Sequence, residues 1–261
     1  MRVLGVIIIM LLSSAAVYAN ERLLDNTLDM TSIGRIRLMN DINVVCVVDS
    51  FAKNIIEFPD TIRDWSNILF LTHERETLTI QILDNNIAER YVGKYQNDTL
   101  LIKVNANITE IENGYNSTLK VRGRLSVPEL KIIQSGNGSI EIDSVYASKA
   151  SLSIVTGNGS IIIRELASDN ISCNILGTGS ITVKGGVCDN LKCRIIGTGK
   201  IDVVRLVAEN AKIKYSGGGY VKCNVIRLLS THGLGTTKIS YKGNPHIKRR
   251  SNVKPKKISD K

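Results

Sequence analysis

Cysteine, proline, histidine and tryptophan are all scarce in this chain, and each shortage removes a class of explanation. The 261 residues include five cysteines, four prolines, three histidines and one tryptophan. An odd number of cysteines, scattered from Cys46 to Cys223, does not make a disulfide scaffold. No CxxC pair, His-x-x-x-His or carboxylate cluster has metal-ligand spacing, so neither a metal nor another cofactor is expected. Long apolar runs are missing as well. The one pronounced run, Val3 to Leu12, is too short to cross a hydrocarbon layer of ~30 Å. Its setting is that of an export signal: Met1-Arg2 supply a basic start and Val17-Tyr18-Ala19 a small-residue exit, with cleavage between Ala19 and Asn20. No cysteine stands at the cleavage point, so a lipoprotein is not expected. The mature chain is read as exported to the periplasm or cell surface, soluble and without a transmembrane segment.

What is present is positive charge, +10 at pH 7, much of it at the end. Lys248, Arg249, Arg250, Lys254, Lys256, Lys257 and Lys261 stand against Asp260 alone. Residues 246–261 are read as a basic, disordered tail. A grip on an acidic glycan or a membrane surface is the functional alternative. Export makes nucleic acid an unsuitable partner.

Glycine supplies the pattern. Ser135-Gly136-Asn137-Gly138-Ser139-Ile140 is followed by Thr156-Gly157-Asn158-Gly159-Ser160-Ile161, and the phrase returns at Gly177 and Gly179, at Gly197 and Gly199, and at Gly217 and Gly219. An eroded copy at Gly235 has Thr237 in place of the second glycine. The first glycines are spaced by 21, 20, 20, 20 and 18 residues. A period of that size means stacked units, none able to bury its apolar face alone. Alternation decides between helix and strand. Ahead of the turn, Leu130, Ser151, Ile171, Leu191 and Ala211 take one inward position. Ile132, Ser153, Cys173, Cys193 and Ile213 take the next, and Gln134, Val155, Ile175, Ile195 and Tyr215 the last. Beyond the turn Ile140, Ile161, Ile181, Ile201, Val221 and Ile239 point inward, and Val145, Leu166, Leu206 and Ile226 fill a second corner. The reading is an all-β, right-handed parallel β-helix with coils of ~20 residues, spanning 124–245, with each phrase marking one corner. Six coils at ~4.8 Å make a core about 24 Å long. Asn170, Asn190 and Asn210 form one row and Ser139, Ser160 and Ser180 another, read as structural ladders capping corner groups.

Residues 20–123 are β-rich without the period: Ile42–Val48, Ile68–Leu71, Leu78–Ile82, Leu100–Val104 and Leu119–Val121. They are expected to form an irregular cap over the solenoid's open end. Trp65 is read as a partly buried core residue rather than a sugar-stacking platform.

The GxGSI turns, the closing Ile239-Ser240-Tyr241-Lys242-Gly243-Asn244-Pro245, the export signal and the β-rich first half together resemble the head GIN domain family. Its members are mostly exported proteins of Bacteroidetes, described as autotransporter adhesin heads of unknown function. The resemblance covers roughly residues 32–246. The eponymous Gly-Ile-Asn corresponds to Asp41-Ile42-Asn43, with its glycine lost. What the resemblance implies is a β-helical fold and an adhesive or envelope role, with no catalytic residues.

The leading functional expectation is therefore a noncatalytic binding module. It would recognise a cell-surface glycan or protein through a flat face carrying Lys192, Arg194, Lys212 and Lys214. A polysaccharide-acting enzyme would need paired carboxylates; Glu141, Asp202 and Glu209 are read as not sharing a row. A structural scaffold is the third reading, with homo-oligomerisation left open. Cys173 and Cys193 share an inward row, as buried thiols or as a bridge between coils.

Overall fold

The structure, a computed structural model, describes residues 33–49, 55–57, 69–82, 99–104 and 107–258. The export signal with Ala19 and Asn20, and also Trp65, lie outside the described residues. The first half contributes β1 (Arg35–Met39), β2 (Asn43–Val48), β3 (Ile55–Glu57), β4 (Leu69–Glu74), β5 (Thr77–Ile82), β6 (Thr99–Val104), β7 (Glu110–Asn113), β8 (Thr118–Ser126) and β9 (Glu129–Ser135). Longer, bent strands follow: β10 (Ser139–Thr156), β11 (Ser160–Gly177), β12 (Ser180–Val183), β13 (Gly186–Gly197), β14 (Lys200–Gly217) and β15 (Tyr220–Gly235). The chain finishes with β16 (Lys238–Lys242), β17 (His246–Ser251) and β18 (Lys256–Lys257). They join one continuous sheet, and from β7 onward each coil lies parallel on the one before it. The fold is the expected β-solenoid.

The repeated glycines stand in a column. Gly177 pairs with Gly197, Gly197 with Gly217 and Gly217 with Gly235. Two different constraints require them. Gly217 has φ +128°, and a Cβ there would lie 2.2 Å from the carbonyl oxygen of Gly197 in the coil below. Gly219 needs only room, since its Cβ would lie 2.6 Å from the Gly199 oxygen. Where Thr237 replaces this second glycine, its buried hydroxyl donates to the Gly217 carbonyl at 2.9 Å.

Inside the column, apolar rows run along the axis and fill the core, with Ile140, Ile161, Ile181 and Ile201 completely buried. Each such side chain contributes about 1.5–3 kcal/mol relative to an exposed one. Inward assignments need correction in two places. In the coil ending at Gly157 the buried residues are Ala150, Leu152 and Ile154, whereas Ser151, Ser153 and Val155 face outward. The 21-residue step carries one residue too many. It is absorbed as a bulge at Val155, because Ile154 pairs with Gln134 while Thr156 pairs with Ser135. Ile226 is likewise outward, 54 % exposed, and Val225 takes the interior. Here the register slips where Cys223 pairs with Val203 but Asn224 pairs with Val207.

Within the first half, the described strands β1, β2 and β5 to β9 are not an irregular cap but coils of the same solenoid, laid down out of chain order. β1 lies parallel between β5 and β7, and β2 parallel between β6 and β8. The coil of residues 35–48 is thus sandwiched between those of 77–104 and 110–126. The corner column continues into it through non-glycine residues with positive φ, Asn40 at +70° and Tyr115 at +55°. Asp41, at the lost glycine of the family motif, is exposed and accepts from the Asn116 amide at 3.2 Å, so the position remains a turn. Among the described residues, capping falls to β3 and β4. They run antiparallel along β6 and β5 and cover the terminal edge of the parallel sheet.

The tail is also different from the expectation. Residues 246–258 are ordered: β17 pairs with β15 and β18 with β16, so they form one more coil. Ile247 and Val253 pack against the core, and Pro255 is buried. Tyr215, 5 % exposed, donates its hydroxyl to Asn252 Oδ1 at 3.1 Å and accepts from the Val253 amide at 3.3 Å. A basic composition concealed this because the alternate residues Ile247, Val253 and Pro255 suffice to close the apolar end.

Candidate binding surface

In-register stacking turns every outward position into a straight row, so the surface chemistry can be read one row at a time. On the face formed by the strand segments ahead of the glycine corner, one row runs Lys131, Ser151, Ser172, Lys192, Lys212, Ser230, Lys248. Its neighbour runs Ile133, Ser153, Asn174, Arg194, Lys214, His232, Arg250. The four cations expected on a flat face are therefore brought together. The tail adds Lys248 and Arg250 to the same two rows, which the disordered reading of 246–261 had missed.

Pairing distinguishes the two ends of this face. Lys131 is bonded to Glu110 at 2.7 Å and Lys149 to Glu129 at 3.3 Å. Lys192, Arg194, Lys212, Lys214, Lys248 and Arg250 are exposed and have no carboxylate partner among the described residues. Strand spacing of ~4.8 Å holds like charges close, which costs energy that a bound anion would offset. Beside the Arg194 row, at the glycine corner, runs an apolar row of Leu176, Ile196 and Leu234, broken at Ser216. These three are 44 %, 39 % and 76 % exposed.

Other rows are structural or weaker candidates. Asn190 Nδ2 donates to Asn170 Oδ1 at 3.3 Å, as expected of a ladder, but Asn210 turns to the Asp189 carbonyl at 3.5 Å. The hydroxyls of Ser139, Ser160 and Ser180 stack in register but make no hydrogen bond among the described residues. The other side of the Asn corner carries an open groove of about 490 Å³, with outward Tyr146, Ala167, Val187, Val207 and Ile226 and acidic Asp169, Asp189 and Glu209. Arg124 lies 4.6 Å over the Tyr146 ring and Arg227 pairs with Glu209 at 3.4 Å, so part of this groove is already satisfied.

The acids also require a correction. Glu141 and Asp202 do share a row, through Ile162 and Thr182. Three coil steps separate them by about 14 Å, beyond the spacing at which two carboxylates act on one glycosidic bond. Cys173 and Cys193 pair in register and are free thiols, as are Cys46, Cys188 and Cys223. A hydrogen bond with the Cys173 side chain that favours the protonated form, and then burial, hold the Cys193 thiol well above its ordinary range. Burial alone pushes Cys46 and Cys223 from 9.0 up to about 12. Cys188 is raised to about 12 by burial, helped by neighbouring Cys173 and Asp189. Thiols so protonated are core filling rather than nucleophiles or ligands.

Among curated proteins, none matches this chain. Solved structures from Bacteroidetes do. A "putative lipid binding protein" from Parabacteroides distasonis shares 20 % identity over 87 % of this chain and 93 % of its own, with a TM-score of 0.71. A "putative adhesin" from Parabacteroides merdae shares 17 % identity over 87 % of this chain and 92 % of its own, TM-score 0.69. A second "putative adhesin" from P. distasonis shares 18 % over 87 % and 93 %, TM-score 0.71. At these identities the likeness establishes the solenoid alone. The family described as "Putative auto-transporter adhesin, head GIN domain" matches residues 65–245, and the chain belongs to it.

Proposed function

We propose that this chain is an exported, noncatalytic binding module of the cell envelope or surface, which engages an anionic partner through the face of Lys192, Arg194, Lys212, Lys214, Lys248 and Arg250. The observation that carries the reading is the set of unpaired cations aligned on one side of the last coils. Similarly placed cations toward the other end are neutralised by Glu110 and Glu129. A scaffold has no use for that difference. Cations left unpaired in two straight rows retain their field for a partner, and association then depends on salt. Membership of an adhesin-like family supports the same reading, and the sequence reading of an export signal cleaved between Ala19 and Asn20 is consistent with it.

The experiment is binding of the exported chain to whole cells and to an array of acidic and neutral glycans, at low and high salt. The reading predicts retention at low salt that falls steeply as salt rises. It also predicts loss in the charge-reversed variant Lys192→Glu, Arg194→Glu, Lys212→Glu, Lys214→Glu. Binding unaffected by the four reversals would remove this face from the function.

A further inference from the structure

We infer that the partner of this face is an anionic phospholipid bilayer, with the cations seated on headgroups and the Leu176, Ile196 and Leu234 row entering the interfacial layer; this rests on the reading above. The geometry favours a plane. Parallel, in-register strands make the two cation rows straight and neighbouring, and extended backbone sends alternate residues to the same side. Arg194 and Ile196 are two residues apart on one strand, so the charged and apolar rows are adjacent on one surface. Leu234, the most exposed of the described large apolar residues at 76 %, stands in the apolar row at the outer end of its strand, next to the corner at Gly235. An aliphatic edge beside fixed cations is the combination that binds membrane interfaces, where apolar burial and attraction to anionic lipid add.

A polysaccharide fits the same surface less well. Sugar rings pack on aromatic planes, and the two cation rows and the apolar row of this face contain no tryptophan, tyrosine or phenylalanine among the described residues. An aliphatic row 39–76 % exposed gives a sulfated or carboxylated glycan nothing to bind, and its exposure is costly without an apolar environment. The two cation rows run on into Glu110 and Glu112 at the far end, and both are bonded there, to Lys131 and Arg37, so no carboxylate of these rows opposes an anionic plane near the free cations.

The test is co-sedimentation of the exported chain with vesicles of phosphatidylcholine alone and of phosphatidylcholine mixed with phosphatidylglycerol. Retention on immobilised heparin serves as a non-lipid polyanion. The expected result is binding to the mixed vesicles only. The four charge reversals should weaken it by about 100-fold or more. Ile196→Ser with Leu234→Ser should weaken vesicle binding about tenfold while leaving heparin retention unchanged. Thermal unfolding confirms that each variant is folded. Heparin retention through the same cations without vesicle binding would overturn the bilayer and leave the binding face standing. Loss of neither on charge reversal would overturn both.

Discussion

Replacing Gly217 by alanine should be among the most damaging single changes that add only a methyl group. The residue sits at φ +128°, where an L side chain is strained by about 1–3 kcal/mol. The added carbon would also lie 2.2 Å from the Gly197 carbonyl oxygen, a backbone atom that cannot rotate away. Relieving such an overlap by moving the coil costs roughly another 1–3 kcal/mol. The comparison that isolates the second effect is Gly177→Ala. Gly177 has a similar φ of +112°, but its nearest obstacle, the Gly157 oxygen, is 3.8 Å away. Only the conformational cost then remains. Each kcal/mol corresponds to about 2–4 °C in a chain of this size. Thermal unfolding followed by circular dichroism should place Gly217→Ala below Gly177→Ala, and both below the parent. If Gly177→Ala were the more costly, or if neither changed the transition, the stacked corner column would not constrain these positions as described.

Removing residues 246–261 should lower the melting temperature by roughly 5 °C or more and promote association, since β15 and β16 lose their partners and Tyr215 its hydrogen bonds; an unchanged transition would mean that the tail is solvated. Alkylation of unreduced, denatured protein should find five thiols, and a count of three would reveal a bridge. In the native state Cys46, Cys188 and Cys223 should resist alkylation at pH 8, because burial holds them at about 12. Their folded values lie above 9.0, so the stability they contribute is complete below that pH and is lost as pH rises toward 12. Tyr115→Gly should leave stability unchanged or raise it by up to ~1 kcal/mol by relieving φ +55°, whereas Gly136→Ala, with its Cβ 2.4 Å from the Tyr115 oxygen, should lower it.

The later coils were legible because one residue type, glycine, satisfied both the backbone angle and the close approach at each corner, and strand alternation did the rest. The phase failed where spacing departed from 20, at the Val155 bulge and at Ile226, since a single inserted or skipped residue reverses inside and outside. The first coils were hidden for two reasons. Asn40 and Tyr115 hold positive φ without being glycine, and the coil of residues 35–48 pairs with residues 75 positions on, as Arg37 does with Glu112. No period survives such an interruption. Lys192, Arg194, Lys212 and Lys214 were identifiable as outward from alternation. Their union with Lys248 and Arg250 was not, because charge-rich composition reads as disorder until the β17 pairing is known.

The register of these rows underlies both the fold and the binding face, and spin-label distances measure it directly. The row of Lys131, Lys192, Lys212 and Lys248 is outward, and the native thiols are buried, so cysteines introduced on the row can be labelled selectively. Pairs anchored at position 131 should lie about 14, 19 and 29 Å from positions 192, 212 and 248, in proportion to the coil steps between them. Distances that failed to grow in that order, or that placed 248 away from the row at a broad range of separations, would contradict the account.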